Sequence, residues 1–135
     1  MNNVQFATYL HILALLDLNK GALLSSSYIA GSININAVIV RKAIIELKQA
    51  GFVQSKEGKG GGTQLVEAAD KILLSDIYKI INSVSVLGKT NSPNPTCPIG
   101  KQINTHIDHL YREAERALIN HLEKITLAEF SKQLI

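Results

Sequence analysis

Residues 36–66 read NAVIVRKAIIELKQAGFVQSKEGKGGGTQLV, and the change of period at Gly51 within this stretch decides the fold. Asn36 carries an N-cap side chain, able to accept a hydrogen bond from an amide in the first helical turn. From Val38 to Gln49, Val40, Ala43, Ile44 and Leu47 recur at three- and four-residue spacing, as on one face of a helix. Gly51 stands where a helix end takes a left-handed residue. The β-branched Val38, Ile39, Val40, Ile44 and Ile45 would also suit a strand. Cap, terminator and period together select the helix. Beyond Gly51, Phe52-Val53 and Gln64-Leu65-Val66 read as two strands. Between them, Lys56-Glu57-Gly58-Lys59-Gly60-Gly61-Gly62 has four glycines in five positions, which predicts a hairpin with an open, basic tip.

Upstream, Ser25-Ser26-Ser27 supplies N-cap chemistry for a short helix ending near Gly31. A first helix spans about residues 3–18, with Val4, Ala7, Leu10, Ala14 and Leu18 on one face, broadened by Phe6, Leu13 and Leu16. Lys20-Gly21 ends it. Downstream, Ile72-Leu73-Leu74-Ser75-Asp76 introduces a capped helix over roughly 75–83. Residues 88–98 hold Gly88, Asn91, Pro93, Asn94, Pro95 and Pro98 with no apolar period, so they form a linker. A long helix follows from Ile99 to Ile125, roughly 40 Å at about 1.5 Å per residue. Its first stripe is Ile103, Ile107, Leu110, Ala114, Ala117 and His121, close to a heptad seam. Its second is Tyr111, Leu118, Leu122 and Ile125. One stripe is expected to pack on the chain's own body and the other on a second copy. Thr126-Leu127-Ala128-Glu129 caps a short terminal helix. The expected organisation is an α+β, mostly α chain. It has a winged helix-turn-helix DNA-binding domain at 1–84, a linker at 85–97, and a long C-terminal dimerisation helix with the terminal helix at 98–135.

Composition narrows the class. The 135 residues are 46% hydrophobic and 19% charged, and 14 basic against 11 acidic residues give a net charge of +3. That balance permits a polyanionic partner without requiring one. No apolar run is long enough for a membrane span, and no secretory signal is evident at the start. A cytoplasmic protein without a membrane partner is the expectation. The single cysteine, Cys97, excludes an internal disulfide framework and a Cys-only metal site within one chain. An enzyme has little support, because no paired carboxylates and no nucleophile with a recognisable base are evident. The glycine run is no phosphate-cradling loop either, since it lacks Gly-Lys-Ser/Thr order and precedes a strand.

Three helices and a hairpin are the order of a winged helix-turn-helix. A helix opened by Asn36 points its partial positive charge outward, and its first turns can enter a major groove. Asn36, Ala37, Val38 and Arg41 avoid the apolar face. Arg41 can read a guanine edge bidentately, and Asn36 can bind phosphate or adenine. Lys42 and Lys48 suit phosphate or solvent. In the hairpin, Lys56 and Lys59 flank or interrupt glycines that allow close approach to a phosphodiester, while Glu57 opposes it. Ser26 and Ser27, with Gly60, Gly61 and Gly62, complete the expected DNA-binding set. The alternative is a protein-interaction module with Val38 and Ile39 as exposed apolar anchors.

Several motifs resemble those of the Rrf-type winged-helix transcription regulators, the family of IscR and NsrR. They are Ile29-Ala30, the run from Leu47 to Val53, Gly58-Lys59-Gly60-Gly61-Gly62 against a wing usually written G-P-G-G-G, Ile72 to Ile77, and Ile125-Thr126-Leu127. Asn94 to Gly100 looks most like the YwnA-like group. The resemblance implies a homodimer joined by the long helix, binding partly palindromic operators, usually as a repressor. It maps DNA contacts to Asn36, Ala37, Val38 and Arg41 and to Lys56 through Gly62. Lys59 replaces the usual wing proline, and Glu57 stands where many members carry arginine.

Cluster-binding members carry three cysteines before the long helix. Cys97 alone does not supply the four ligands a typical iron–sulfur cluster wants, so no cofactor is expected. His106 and His109 have the spacing of a zinc pair, but an exposed or interfacial pair is the simpler reading, and no metal site is expected. His121 would be a polar layer of the seam, and His11 a packing residue with its polar edge satisfied. Cys97, just ahead of a helix N-terminus, reads either as a small apolar filler or as a one-cysteine redox switch answering an oxidant or small-molecule effector.

Overall fold

The computed structural model describes residues 4–81 and 85–135. Helix α1 spans Gln5–Leu18, α2 Ser26–Ile33 and α3 Ala37–Gln49, followed by strands β1 (Val53–Lys56) and β2 (Gly62–Leu65). A 3-10 turn at Ala69–Lys71 leads to α4 (Leu74–Lys79), α5 (Gly100–Leu122) and α6 (Leu127–Lys132). The expected start of the first helix near residue 3, the ends of the 1–84 span, and residues 82–83 of the 75–83 helix lie outside the described residues.

The α2–α3 pair makes the helix-turn-helix. Ser25 caps α2, its Oγ accepting from the Tyr28 N–H at 3.1 Å. The helix runs through Gly31 and stops at Asn34, whose φ of 64° and ψ of 48° are left-handed. The expected end near Gly31 is therefore corrected: asparagine, tolerant of this conformation, is the terminator. The chain then turns through 111° into α3, within the range of such motifs. Asn36 Oδ1 accepts from the Val38 N–H at 2.7 Å, and Gly51 takes φ +87° just past the far end.

Val40, Ala43, Ile44 and Leu47 are the buried face of α3, as their spacing predicts. They join Tyr9, Ile12, Leu13 and Leu16 of α1, Ile29 of α2, Val53 of β1, Ile72, Ile77 of α4 and Leu127 of α6 in one core. Each fully buried aliphatic side chain contributes about 1.5–3 kcal/mol over its exposed state. The face assigned to the first helix is corrected in part: Leu13, Ala14 and Leu16 are buried as expected, but Val4 and Ala7 are exposed and Leu18 sits at the surface, while Tyr9 and Ile12 point inward in their place. This helix is apolar around most of its girth, so periodicity alone leaves its rotation undetermined.

The strands pair antiparallel, Val53 with Leu65 through Lys56 with Gly62. Both differ from their expected limits, because Lys56 and Gly62 belong to the ladder and Phe52 and Val66 flank it. Leu24 extends the sheet: its N–H donates to the Thr63 carbonyl at 3.0 Å, and Thr63 N–H returns a bond at 2.9 Å. The wing is thus stitched to the segment before α2.

Leu73, not Ser75, precedes α4, and the Asp76 carboxylate accepts from its N–H at 3.0 Å. Helix α5 is shorter than expected at both ends, and none of its residues is fully buried. Tyr78 of α4 donates to Glu115 of α5 at 2.6 Å and meets the Phe6 ring edge-on. The chain then returns to the body. Thr126 and Glu129 form a reciprocal capping box at 3.0 and 3.1 Å. Leu74 N–H donates to Ile125 and Leu127 N–H to Ile72, which fastens α6 beside α4.

Candidate nucleic-acid interface

A cleft of about 380 Å³ separates α3 from the wing. Arg41, Ile45 and Lys48 line it from the helix, Ser25 and Ser26 from the start of α2, and Lys56, Glu57, Gly58, Gly61 and Gly62 from the wing. Three cations face one carboxylate there. Lys42 and Lys59 are exposed outside it.

The recognition helix is held from behind. Tyr9 is buried on α1, and its hydroxyl donates to Glu46 Oε1 of α3 at 2.7 Å while accepting from Gln5 Nε2 at 2.7 Å. Burial, then the bond to the Glu46 carboxylate, pushes the Tyr9 phenol up to about 12. One acidic group of α3 is therefore tied to the core side and not offered to the cleft. His11 contacts Ser32 Oγ at 3.0 Å, linking α1 to α2.

Individual residues refine the expected set. Val38, Arg41 and Lys42 are exposed along α3, and Ala37 is half-buried. The carbonyl arm of Asn36 is committed to its cap, which leaves its amide N–H groups to donate and suits phosphate better than a bidentate adenine pair. Ser25 takes the capping role, freeing the hydroxyls of Ser26 and Ser27. Two glycines have a structural reason of their own. A Cβ at Gly61 would collide with the Lys56 carbonyl oxygen, and one at Gly62 would sit 2.7 Å from the Leu24 carbonyl oxygen. They close the hairpin against β1 and Leu24 whatever else they touch. Ser55 and Thr63 join their hydroxyls across the strands at 3.1 Å.

Sequence reasoning missed Ile45 as a cleft residue, the Leu24 bridge and the Tyr9–Glu46 tie. The first was legible in helical spacing, since residue 45 shares a face with residues 38, 41 and 42. The other two join positions far apart in the chain and leave no local mark.

The sequence profile of Rrf2, described as an iron-dependent transcriptional regulator, matches residues 3–133. The chain belongs to the Rrf2 family. This Rrf2 protein is 33% identical over 135 residues to the HTH-type transcriptional regulator YwnA of Bacillus subtilis (strain 168), covering 99% of each chain. A crystal structure of a DNA-binding protein is similar at TM-score 0.75 and 31% identity, over 93% of this chain and 97% of the other. A transcriptional regulator from Lactobacillus plantarum has the same fold at TM-score 0.80 and 24% identity, over 97% and 89%. The relatives are regulators of transcription and not enzymes, and the winged-helix, mostly helical architecture is theirs. No single helix among the described residues is long and apolar enough to cross a membrane.

The rest of the Rrf2 chain presents two further features. On α5, Leu110 is 58% and Ile103 39% exposed. Ala117 and His121 are also exposed, while Ile107 and Ala114 are half-buried. Leu122 and Ile125, from the second stripe, pack against the core. Cys97 is exposed in the turn before α5, with its Sγ accepting from the Gly100 N–H at 3.4 Å. The backbone N–H groups of Gly100 and Ile99, at the start of α5, hold its thiol below the ordinary value. Iron chemistry finds a poor donor set: Cys97 is the one cysteine of the chain. Among the described residues no three His, Cys, Asp or Glu side chains converge as a metal site. His109 instead pairs with Glu113 at 2.9 Å on an exposed face.

Proposed function

We propose that the protein is a homodimeric, cytoplasmic repressor that binds a partly palindromic operator without a resident iron–sulfur cluster. The carrying observation is the cleft in which Arg41 and Lys48 of α3 face Lys56 of the wing. A helix entering the major groove while the wing straddles the adjacent backbone needs this spacing of cations. Ser26, Ser27 and the Asn36 amide then bind phosphate, and Arg41 reads a base. Gly60, Gly61 and Gly62 let the wing backbone approach, with Lys59 at its tip. The exposed seam of Ile103, Leu110, Ala117 and His121, with Ile107 and Ala114 beside it, favours pairing of two copies along α5. Two recognition helices then address half-sites about one duplex turn apart, roughly 34 Å. The cationic rim favours this reading over a protein partner at Val38 and Ile39.

The testing experiment is duplex binding followed by fluorescence anisotropy over a salt series, with sedimentation of the free protein. A dimer is expected. If six phosphates are neutralised, affinity falls about a thousandfold between 50 and 200 mM salt. A monomer, or binding indifferent to salt, rejects the reading.

Control through Cys97 is the accompanying proposal, with an oxidant as the effector. The lowered thiol pKa raises the thiolate fraction available for oxidation. Operator binding by Cys97→Ser is expected to ignore peroxide or hypochlorite while the wild type responds. Equal responses remove the switch.

A further inference from the structure

The crest of α3 is not purely polar. Val38 is 62% and Ile45 55% exposed, and Arg41 and Lys42 lie between them on the same outward side. Burying neither valine nor isoleucine wastes apolar surface, because the four inward positions of this helix already fill the core. Such an alternation of apolar, basic and apolar groups on the outward side of a helix, of which Arg41 and Ile45 border the wing cleft, calls for a ligand with the same alternation.

The major groove of DNA has one apolar group on its floor, the C5-methyl of thymine, beside guanine O6 and N7 acceptors. Residues 38 and 45 are seven positions apart, about 10 Å along the helix. That is the length of about three base-pair steps at roughly 3.4 Å each. We infer that Val38 and Ile45 are specificity residues that contact thymine methyls about three base pairs apart, bracketing a G·C pair read by Arg41. The inference rests on the DNA-binding reading above and gives its ligand a chemical class: half-sites in which thymines flank a guanine. Charge complementarity makes DNA the occupant of this apolar crest, since Arg41, Lys42 and Lys48 surround it and Glu46 is bound to Tyr9.

The test uses the intact protein and a pool of random-sequence duplexes. The best-bound duplex is resynthesised with each thymine in turn replaced by deoxyuridine, which lacks only the methyl. Loss of a buried methyl weakens binding about fourfold, and two positions in each half-site are expected to show it. Val38→Ala is expected to abolish the thymine–deoxyuridine difference at one of the two positions and leave it at the other. Ile45→Ala does the reverse. Both side chains are exposed and alanine is the better helix former, so neither variant loses its fold. Selective binding in which no deoxyuridine position matters overturns this inference and leaves the DNA-binding reading standing. Failure to select any duplex overturns both. A methyl effect that survives unchanged in both variants also overturns it, because the contact then belongs to other residues.

Discussion

Removing a single oxygen atom from Tyr9 tests how the recognition helix is held. Tyr9→Phe keeps the ring in the core but deletes the donor to Glu46 at 2.7 Å. A hydrogen bond to a charged acceptor contributes about 1.5–3 kcal/mol. Glu46 is half-buried, so water recovers part of this, and the expected loss is about 1–2 kcal/mol. In a domain of this size that lowers Tm by about 3–8 °C. The assay is urea unfolding of wild type, Tyr9→Phe, Glu46→Ala and the double variant. A coupling energy of at least about 0.5 kcal/mol is expected, as for groups in direct contact. The alkaline limb supplies a second readout. The phenol is raised in the folded state from an ordinary 10 to about 12. Its contribution is therefore complete below pH 10 and lost as pH rises through about 12. Tyr78 is raised to about 12 by burial and by Glu115, so Tyr9→Phe flattens this limb without abolishing it. Additive single effects and an unchanged alkaline limb would refute the tie between α1 and α3.

Four further variants have expected outcomes. Arg41→Ala loses about 1–3 kcal/mol of operator binding with relaxed preference at one base pair, whereas Lys59→Ala weakens binding evenly across sequences, both read by anisotropy on a panel of variant duplexes. Gly62→Ala drives a Cβ to 2.7 Å from the Leu24 carbonyl oxygen. Its cost is about 1–3 kcal/mol in unfolding free energy, and hydrogen exchange should rise at Thr63, whose N–H bonds Leu24. Leu127→Ala, at a fully buried position, costs about 2–5 kcal/mol in one cooperative transition; a separate melting step for the C-terminal segment would contradict a shared core.

The helix-turn-helix was legible because its signals are local. Asn36, the 40/43/44/47 spacing and Gly51 each act within a few residues, and each has its expected place in the structure. The rotation of α1 was only partly legible: Leu13 and Leu16 were expected inside, but apolar residues surround the helix and only the tertiary partners choose Tyr9 and Ile12 over Val4 and Ala7. The strand limits slipped toward the apolar residues because Lys56 and Gly62 pair through their backbones, which leaves no hydrophobic trace. In the interface, the exposed basic residues follow from helical phase. The second use of Gly62, against the Leu24 carbonyl, depends on a bridge between segments about forty residues apart in the chain. No periodicity encodes that.

The capping box at Thr126 and Glu129 and the fastening of Leu127 beside Ile72 anchor the C-terminal root of α5. The Tyr78–Glu115 bond props it about two turns further in. The helix is then a cantilever: clamped at its base, supported about a third of the way along, and carrying Cys97 just beyond its outer tip. A small tilt at the props becomes a larger sweep at that tip, and a push delivered there arrives at the clamp as torque on α4 and α6. If Cys97 answers an oxidant as proposed, this leverage is how a change at the outlying thiol would reach the winged-helix body.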